Sequence, residues 1–256
     1  IYNLYGHVLP APFGHGYIGF EHFLDIMIFT TDGLFGTPLR VAATYVLLFV
    51  LFGTFLANAG GGEFFNNLAA SVAGARVGGP AKIAVVSSGL YGTISGSPTS
   101  DVVTTGSITI PMMKDGGYQK ETAGAIEAAA STGGQLMPPI MGAAAFLLAE
   151  NLQANYIDVM KAALIPSILY YISLFLFADL EAGRRQIDRV PEHMIPSLST
   201  VIKRGWFVFV PFALILVALF NLHLRPETAA LIAVLSFIII SLFLRYDASK
   251  LDLRLF

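Results

Sequence analysis

Two short stretches hold the residues whose types and spacing could do chemistry. Ser95 to Asp101, SGSPTSD, sets hydroxyls, a glycine, a proline and a carboxylate between the apolar runs AKIAVVSSGLYGTI and VVTTGSITIPMM. Within it, Gly96 supplies a sharp turn, Ser97 suits an N-cap, Pro98 the first helical position and Asp101 the first turn. A helix that ends before Gly96 leaves carbonyls of about Thr93 to Ser95 without helical donors. Free carbonyls and hydroxyls suit a small hard cation, and the N–H groups and positive dipole end of the helix starting at Ser97 suit an anion. The second stretch, ASTGGQLMPPIMGAAAF from Ala130 to Phe146, puts Gly133, Gly134, Pro138 and Pro139 inside an apolar segment. Prolines remove backbone donors and glycines weaken the turn before them, so this helix should unwind and expose carbonyls around Gly133 to Pro138.

Other polar residues have plainer readings beside the functional ones. Asp101 either complements a helix dipole or, as an intramembrane carboxylate, takes part in function. Glu127 is either a buried structural hydrogen-bonding group or ion-related. GTISG, Gly92 to Gly96, is also a GxxxG pattern for close helix packing, and Thr104, Thr105, Ser107 and Thr109 form an interhelical hydroxyl ladder. The five histidines show no metal-ligand spacing, so no transition-metal site is expected. The absence of cysteine excludes disulfides and thiolate catalysis.

These groups must be positioned by membrane helices. Of 256 residues 55% are apolar and 12% charged, with mean hydropathy +0.69; soluble domains carry roughly twice that charged fraction. The net charge of −2 and scattered basic residues offer no nucleic-acid footprint. Spans are expected at Leu39–Ala59, Thr122–Asn151 (interrupted), Tyr156–Leu180 and Ala229–Leu244, with a shorter fifth at Trp206–Leu222. The arms on either side of Ser95 to Thr99, about 15 residues each, rise only about 22 Å and cannot cross a core of about 30 Å. They read as a re-entrant helical hairpin. Phe64, Phe65, Leu68 and Val72 suggest an interfacial helix within Gly61 to Gly79. The charged, proline-bearing segment from Glu181 to Thr200 reads as a linker. With the hairpin returning to its own side, twelve of the fifteen Lys and Arg residues, from Arg76 to Arg254, fall on one face. That face is the expected cytoplasmic one. Only Arg40, Lys161 and Arg225 lie near the other. The first residue is Ile, and the chain reads as a fragment of a longer, permease-sized protein.

The segment from Gly92 to Glu150, GTISGSPTSDVVTTGSITIPMMKDGGYQKETAGAIEAAASTGGQLMPPIMGAAAFLLAE, closely resembles the large (DctM-like) membrane subunit of tripartite ATP-independent periplasmic (TRAP) transporters. It is most similar to fused permeases that pair with TAXI-type solute-binding proteins. The resemblance runs from about Leu34 past Leu180. It implies an all-α polytopic membrane fold holding one half of an inverted-repeat elevator transporter, with a re-entrant hairpin and a broken transmembrane helix. The implied organisation is a periplasmic or interfacial junction at 1–38 and a first repeat at 39–180, containing the hairpin 80–113, the broken helix 121–151 and a span at 156–180. A cytoplasmic loop at 181–204 and a helical hairpin at 205–256 follow.

The implied function is import of a small organic anion, a carboxylate, coupled to sodium and without ATP hydrolysis or enzymatic chemistry. It implies no cofactor beyond the coupling ion. The implied partners are a periplasmic TAXI-type binding protein, small-subunit-like helices fused N-terminally, and the bilayer of a bacterial or archaeal inner membrane. By motif, Ser95, Gly96 and Ser97 would form a sodium site with backbone of Gly133, Leu136 and Pro138. A register shifted by one would make these Gly134, Met137 and Pro139. Thr99, Ser100, Asp101, Glu127, Thr132 and Gln135 would face substrate or ion. Family members carry small or amide residues where this chain has Thr99, Ser100 and Asp101. Rival readings are a tripartite tricarboxylate permease or other ion-coupled elevator, an intramembrane serine hydrolase using Ser95 or Ser97, and a purely structural subunit. The hydrolase reading lacks a GxSxG elbow and an intramembrane histidine.

Overall fold

The computed structural model describes residues 2–243, and among them every regular element is helical. Two compact units are present, one ending at Thr44 and one from Tyr45 onward. The first holds a helical turn at Tyr2–Tyr5 and helix α1 at Phe20–Phe29. Helix α2 is the span Thr37–Asn58, in agreement with the expected 39–59.

Gly60, in the left-handed conformation at φ 90°, starts α3 at Gly61–Ala73. The expected interfacial stripe is displaced here. Phe64, Phe65, Ala69 and Ala73 are buried, Leu68 is half-buried and Val72 is 59% exposed. Helix α3 packs along the first hairpin arm, which selects the face carrying the small residues.

The hairpin follows as α4 at Gly79–Ser95, α5 at Pro98–Thr104 and α6 at Gly106–Asp115. Gly96 ends α4 at φ 56° and its N–H donates to Gly92 O at 3.0 Å. Ser97 Oγ accepts from Ser100 N–H at 3.4 Å, and Pro98 opens the second arm as expected. The 17-residue first arm rises about 26 Å, still short of a bilayer core.

The broken helix comprises α7 at Lys120–Gly133, a 3₁₀ turn at Gly134–Leu136 and α8 at Ala143–Asn151. Helices α9 (Tyr156–Arg185), α10 (Leu198–Phe220) and α11 (Pro226–Phe243) are long and apolar enough to cross a membrane. The core between α4, α6, α7 and α9 uses Ala81, Ala84, Ala123, Ala130, Ala178 and Ala182, small residues that let helix backbones approach closely.

The expected loop at 181–204 is shorter than anticipated, and no packing boundary falls there. Helix α9 continues to Arg185 because Glu181 accepts from both Arg184 and Arg185 within its last turns. Ile187 is buried in the core, Gly78 N–H donates to Ile187 O at 3.3 Å, and Val190 N–H donates to Gly74 O at 3.2 Å. Ser197 then caps α10, seven residues before the expected hairpin start, and Phe237 of α11 packs edge-to-face on Phe52 of α2 at 6.0 Å. Of the basic residues expected on the cytoplasmic face, Arg245, Lys250 and Arg254 lie outside the described residues, as does Leu244 at the end of the expected last span.

Candidate functional site

The hairpin tip meets the broken helix at its break. Two glycines make the approach possible: a Cβ on Gly92 would overlap Gly134 Cα, and one on Gly134 would lie 2.5 Å from Asp101 Oδ2 and 2.8 Å from Gly92 Cα. The GxxxG reading of Gly92 is thereby realised as helix packing, and Gly92 also holds the tip in place. Ile140 N–H, the first donor after Pro138 and Pro139, reaches Thr93 O at 3.3 Å. One of the carbonyls expected to be free is therefore consumed. The Ile94 carbonyl has Pro98 at its i+4 position and so has no helical donor.

The break is longer than its prolines suggest. After the 3₁₀ turn the chain reverses, Met141 takes φ 56°, and Gly142 N–H returns to Gln135 O at 2.8 Å. Gly96 lies directly against the Met141 carbonyl, where no Cβ could fit. Tyr156, at the start of α9, is buried and its hydroxyl lies 2.8 Å from Pro139 O and 2.5 Å from Ile140 O, which ties down the break. Its ring stacks on Phe146 at 4.5 Å. Between tip and break lies a pocket of about 290 Å³, lined by Ser95, Gly96, Ser97, Gln135 and Gly142, with Phe49 and Phe146 in its wall.

Of the expected cation ligands, Ser95, Gly96 and Ser97 are at this pocket. Gly133 is not: it faces α9, where an added Cβ would lie 2.7 Å from Tyr170 Cδ1. Leu136 is 43% exposed, and Pro138 is half-buried outside the pocket lining. In the shifted register Gly134 does reach the tip, whereas Met137 lines an apolar groove beside Thr93, and Pro139 O serves Tyr156. The break therefore meets the tip through Gly134–Gln135 and Met141–Gly142. Only the left-handed turn at Met141 brings the second pair back, and nothing in a single sequence marks a methionine for that conformation.

Among the other candidates, Gln135 lines the pocket, Thr99 is exposed and Ser100 is half-buried. Thr132 is exposed and bonds its own helix at Ala128 O, 2.7 Å away. Asp101 is fully buried. Its Oδ1 accepts from the Ser95 hydroxyl, while Oδ2 has no hydrogen-bond partner. A buried carboxylate oxygen without a donor is costly unless something arrives to satisfy it. Both serines of the hydrolase rival are engaged, Ser95 with Asp101 and Ser97 as a helix cap.

Glu127 sits away from the pocket, also fully buried. Its Oε1 accepts from Ser88 at 3.1 Å, Thr105 at 2.7 Å and Ser131 at 3.2 Å, and Oε2 accepts from Thr109 at 2.5 Å. From the hydroxyl ladder Thr105 and Thr109 thus serve this carboxylate. Ser107 is exposed and bonds Thr104 O, and Thr104 reaches Tyr91 Oη at 3.5 Å. The roles of Ser88 and Ser131 were not apparent from the sequence, although both lie at helical spacing from small residues.

An all-helical, multi-pass membrane protein whose hairpin tip abuts a broken helix has the parts of a secondary transporter. Residues 17–254 match the family model of the DctM component of tripartite ATP-independent periplasmic transporters, and the chain belongs to that family of membrane permeases. It is 27% identical over 206 residues to the sialic acid TRAP transporter permease protein SiaT of Haemophilus influenzae, covering 80% of this chain and 32% of that protein. It is 24% identical over 237 residues to the C4-dicarboxylate TRAP transporter large permease protein DctM of Pseudomonas aeruginosa, covering 90% and 55%. The isethionate TRAP transporter permease protein DctMQ of Oleidesulfovibrio alaskensis is 26% identical over 203 residues, covering 78% and 32%. The chain thus spans from about a third to about half the length of these relatives.

Proposed function

We propose that this chain carries one hairpin and one broken helix of the permease of a sodium-coupled TRAP-type transporter. In this reading it lies in a bacterial or archaeal inner membrane and imports a small organic anion, a carboxylate, handed over by a periplasmic TAXI-type binding protein, with small-subunit-like helices fused upstream. The observation that carries the reading is the seating of Ser95–Ser97 against Gly134–Gln135 and Gly142, with Asp101 Oδ2 buried and unpartnered beside them. Hydroxyls, helix-end carbonyls and a carboxylate are hard oxygen donors, the set that suits sodium rather than a transition metal. The relatives are named for sialic acid, C4-dicarboxylates and isethionate, all organic anions, which supports the substrate class. The helix order supports the orientation, since α9 and α10 both meet the charged segment at Arg184–Arg204 that would lie in the cytoplasm.

The test is uptake by the full-length protein reconstituted in proteoliposomes with its binding protein under an imposed sodium gradient. Ser97→Ala should raise the sodium concentration needed for half-maximal uptake; a variant with an unchanged sodium response would sink the proposed tip site.

A further inference from the structure

We infer that Glu127 is a positioning residue, a carboxylate clasp that fastens both hairpin arms to the broken helix and so holds the tip at the break. Ser88 comes from the first arm, Thr105 and Thr109 from the second, and Ser131 shares α7 with Glu127. All five residues are fully buried. Gly106 lets the carboxylate approach the second arm, for a Cβ there would lie 3.0 Å from Glu127 Cγ and 3.4 Å from its Oε1. Four hydroxyls lie within hydrogen-bond distance of the carboxylate, three at Oε1 and one at Oε2. Such a group accepts its donors strongly. The clasp joins three segments that are far apart in sequence but must move together if the tip is to stay on the break. Thr105 lies one turn from Asp101 on the second arm, and its hydroxyl is within reach of Asp101 O at 2.8 Å as well as of Glu127 Oε1, its one proton serving one acceptor at a time. Glu127 therefore acts through the geometry of the tip and touches neither ion nor substrate.

The clasp stands on this geometry, and its consequence for uptake rests on the permease reading. A cross-link separates the two. In the full-length protein, with any cysteines outside residues 1–256 replaced by serine, Thr93→Cys and Met137→Cys are introduced. These two positions line the same groove, one on the first arm and one in the break. Their joining by a short bismaleimide is followed in membranes without sodium or substrate. Each hydroxyl bond to a charged acceptor is worth roughly a factor of ten. Glu127→Ala, and the isosteric pair Thr105→Val with Thr109→Val as a second variant that keeps the carboxylate, should slow cross-linking at least tenfold, up to about a hundredfold for two bonds lost. Glu127→Gln keeps an acceptor for three hydroxyls and an amide for the fourth, so it should cross-link within about threefold of the parent and retain sodium-dependent uptake. Cross-linking unchanged in the Thr105/Thr109 double variant overturns the clasp. Loss of sodium dependence in Glu127→Gln with normal cross-linking also overturns it, making Glu127 an ion-related group. Uptake that ignores sodium in the unsubstituted protein would count against the sodium-coupled permease reading, while the cross-linking rates would still decide for or against the clasp.

Discussion

The contact between Gly92 and Gly134 can be tested by adding one methyl group. Gly134 has an ordinary helical backbone, φ −57°, so alanine there meets no conformational strain and the effect is purely steric. The new Cβ would lie 2.5 Å from Asp101 Oδ2 and 2.8 Å from Gly92 Cα, about 1 Å inside normal contact distance. Neither neighbour is the loose end of a flexible chain, since one is backbone and the other a carboxylate held by Ser95. Overpacking of this kind costs about 1–3 kcal/mol. The shift is about 2–4 °C per kcal/mol at 150–250 residues and smaller in a longer chain, so Gly134→Ala should lower the full-length protein's unfolding midpoint by roughly 1–6 °C. Gly124, on α7, has nothing within 4 Å of its built Cβ. Gly124→Ala should raise the midpoint by a few degrees, because alanine is favoured in helix interiors by up to about 1 kcal/mol. Thermal scans of the two variants of the full-length protein, in one detergent, give the comparison. A Gly134→Ala midpoint at or above that of Gly124→Ala would refute the crossing. Gly92→Ala pushes on the same gap from the other side, so the double variant should lose less than the sum of the singles.

Asp101→Asn should alter the sodium or pH dependence of uptake in proteoliposomes, and curves identical in both would leave Asp101 with only a dipole-complementing role. Tyr156→Phe removes the hydroxyl that ties Pro139 O and Ile140 O to α9; it should cost about 1–3 kcal/mol in a thermal or denaturant assay and increase bismaleimide labelling of a cysteine placed at Met137. In the N-terminal unit, His15 Nε2 lies 2.9 Å from Tyr2 O and Nδ1 2.6 Å from Gly16 O, so the Tyr2 carbonyl, then that of Gly16, holds its pKa above the ordinary 6.5. A raised folded-state pKa stabilises this segment fully below about 6.5 and ceases to do so as pH climbs through the higher value. Proteolysis around residues 2–16 should therefore increase with pH in the parent and be independent of pH in His15→Ala.

The tip was legible in the sequence because its signals are local. Ser97, Pro98 and Gly96 each specify a backbone state within one turn of themselves, and all three states are observed. The break was legible for the same reason, from Gly133 to Pro139, but its far end at Met141–Gly142 was not, since a non-glycine left-handed residue is imposed by the fold. The faces of α3 were misread because hydrophobicity points to Leu68 and Val72, whereas close packing against α4 selects Ala69 and Ala73. The segment after Arg185 looked like a linker by its charge and prolines, yet Ile187 and Val190 anchor it through contacts with Gly74 and Gly78. In each case the missing information was long-range.

Asp101 and Glu127 show why the type of residue alone does not assign a role. Both are carboxylates buried to the same degree and linked through Thr105, whose hydroxyl lies within hydrogen-bond distance of the Asp101 carbonyl and of Glu127 Oε1. Their donor sets separate them. Glu127 has hydroxyls at both oxygens, three at Oε1 and one at Oε2, so its burial is compensated within the protein. Asp101 has one hydroxyl on Oδ1 and none on Oδ2, so its burial is compensated only in part, beside a pocket edged by Ser97 and Gln135. A group left with a bare oxygen in the fold is where an incoming charge gains most, whereas one with donors at both oxygens serves to hold its neighbours still. Stability measurements should respond mainly to Glu127 and its hydroxyls, and ion dependence mainly to Asp101 and the tip serines.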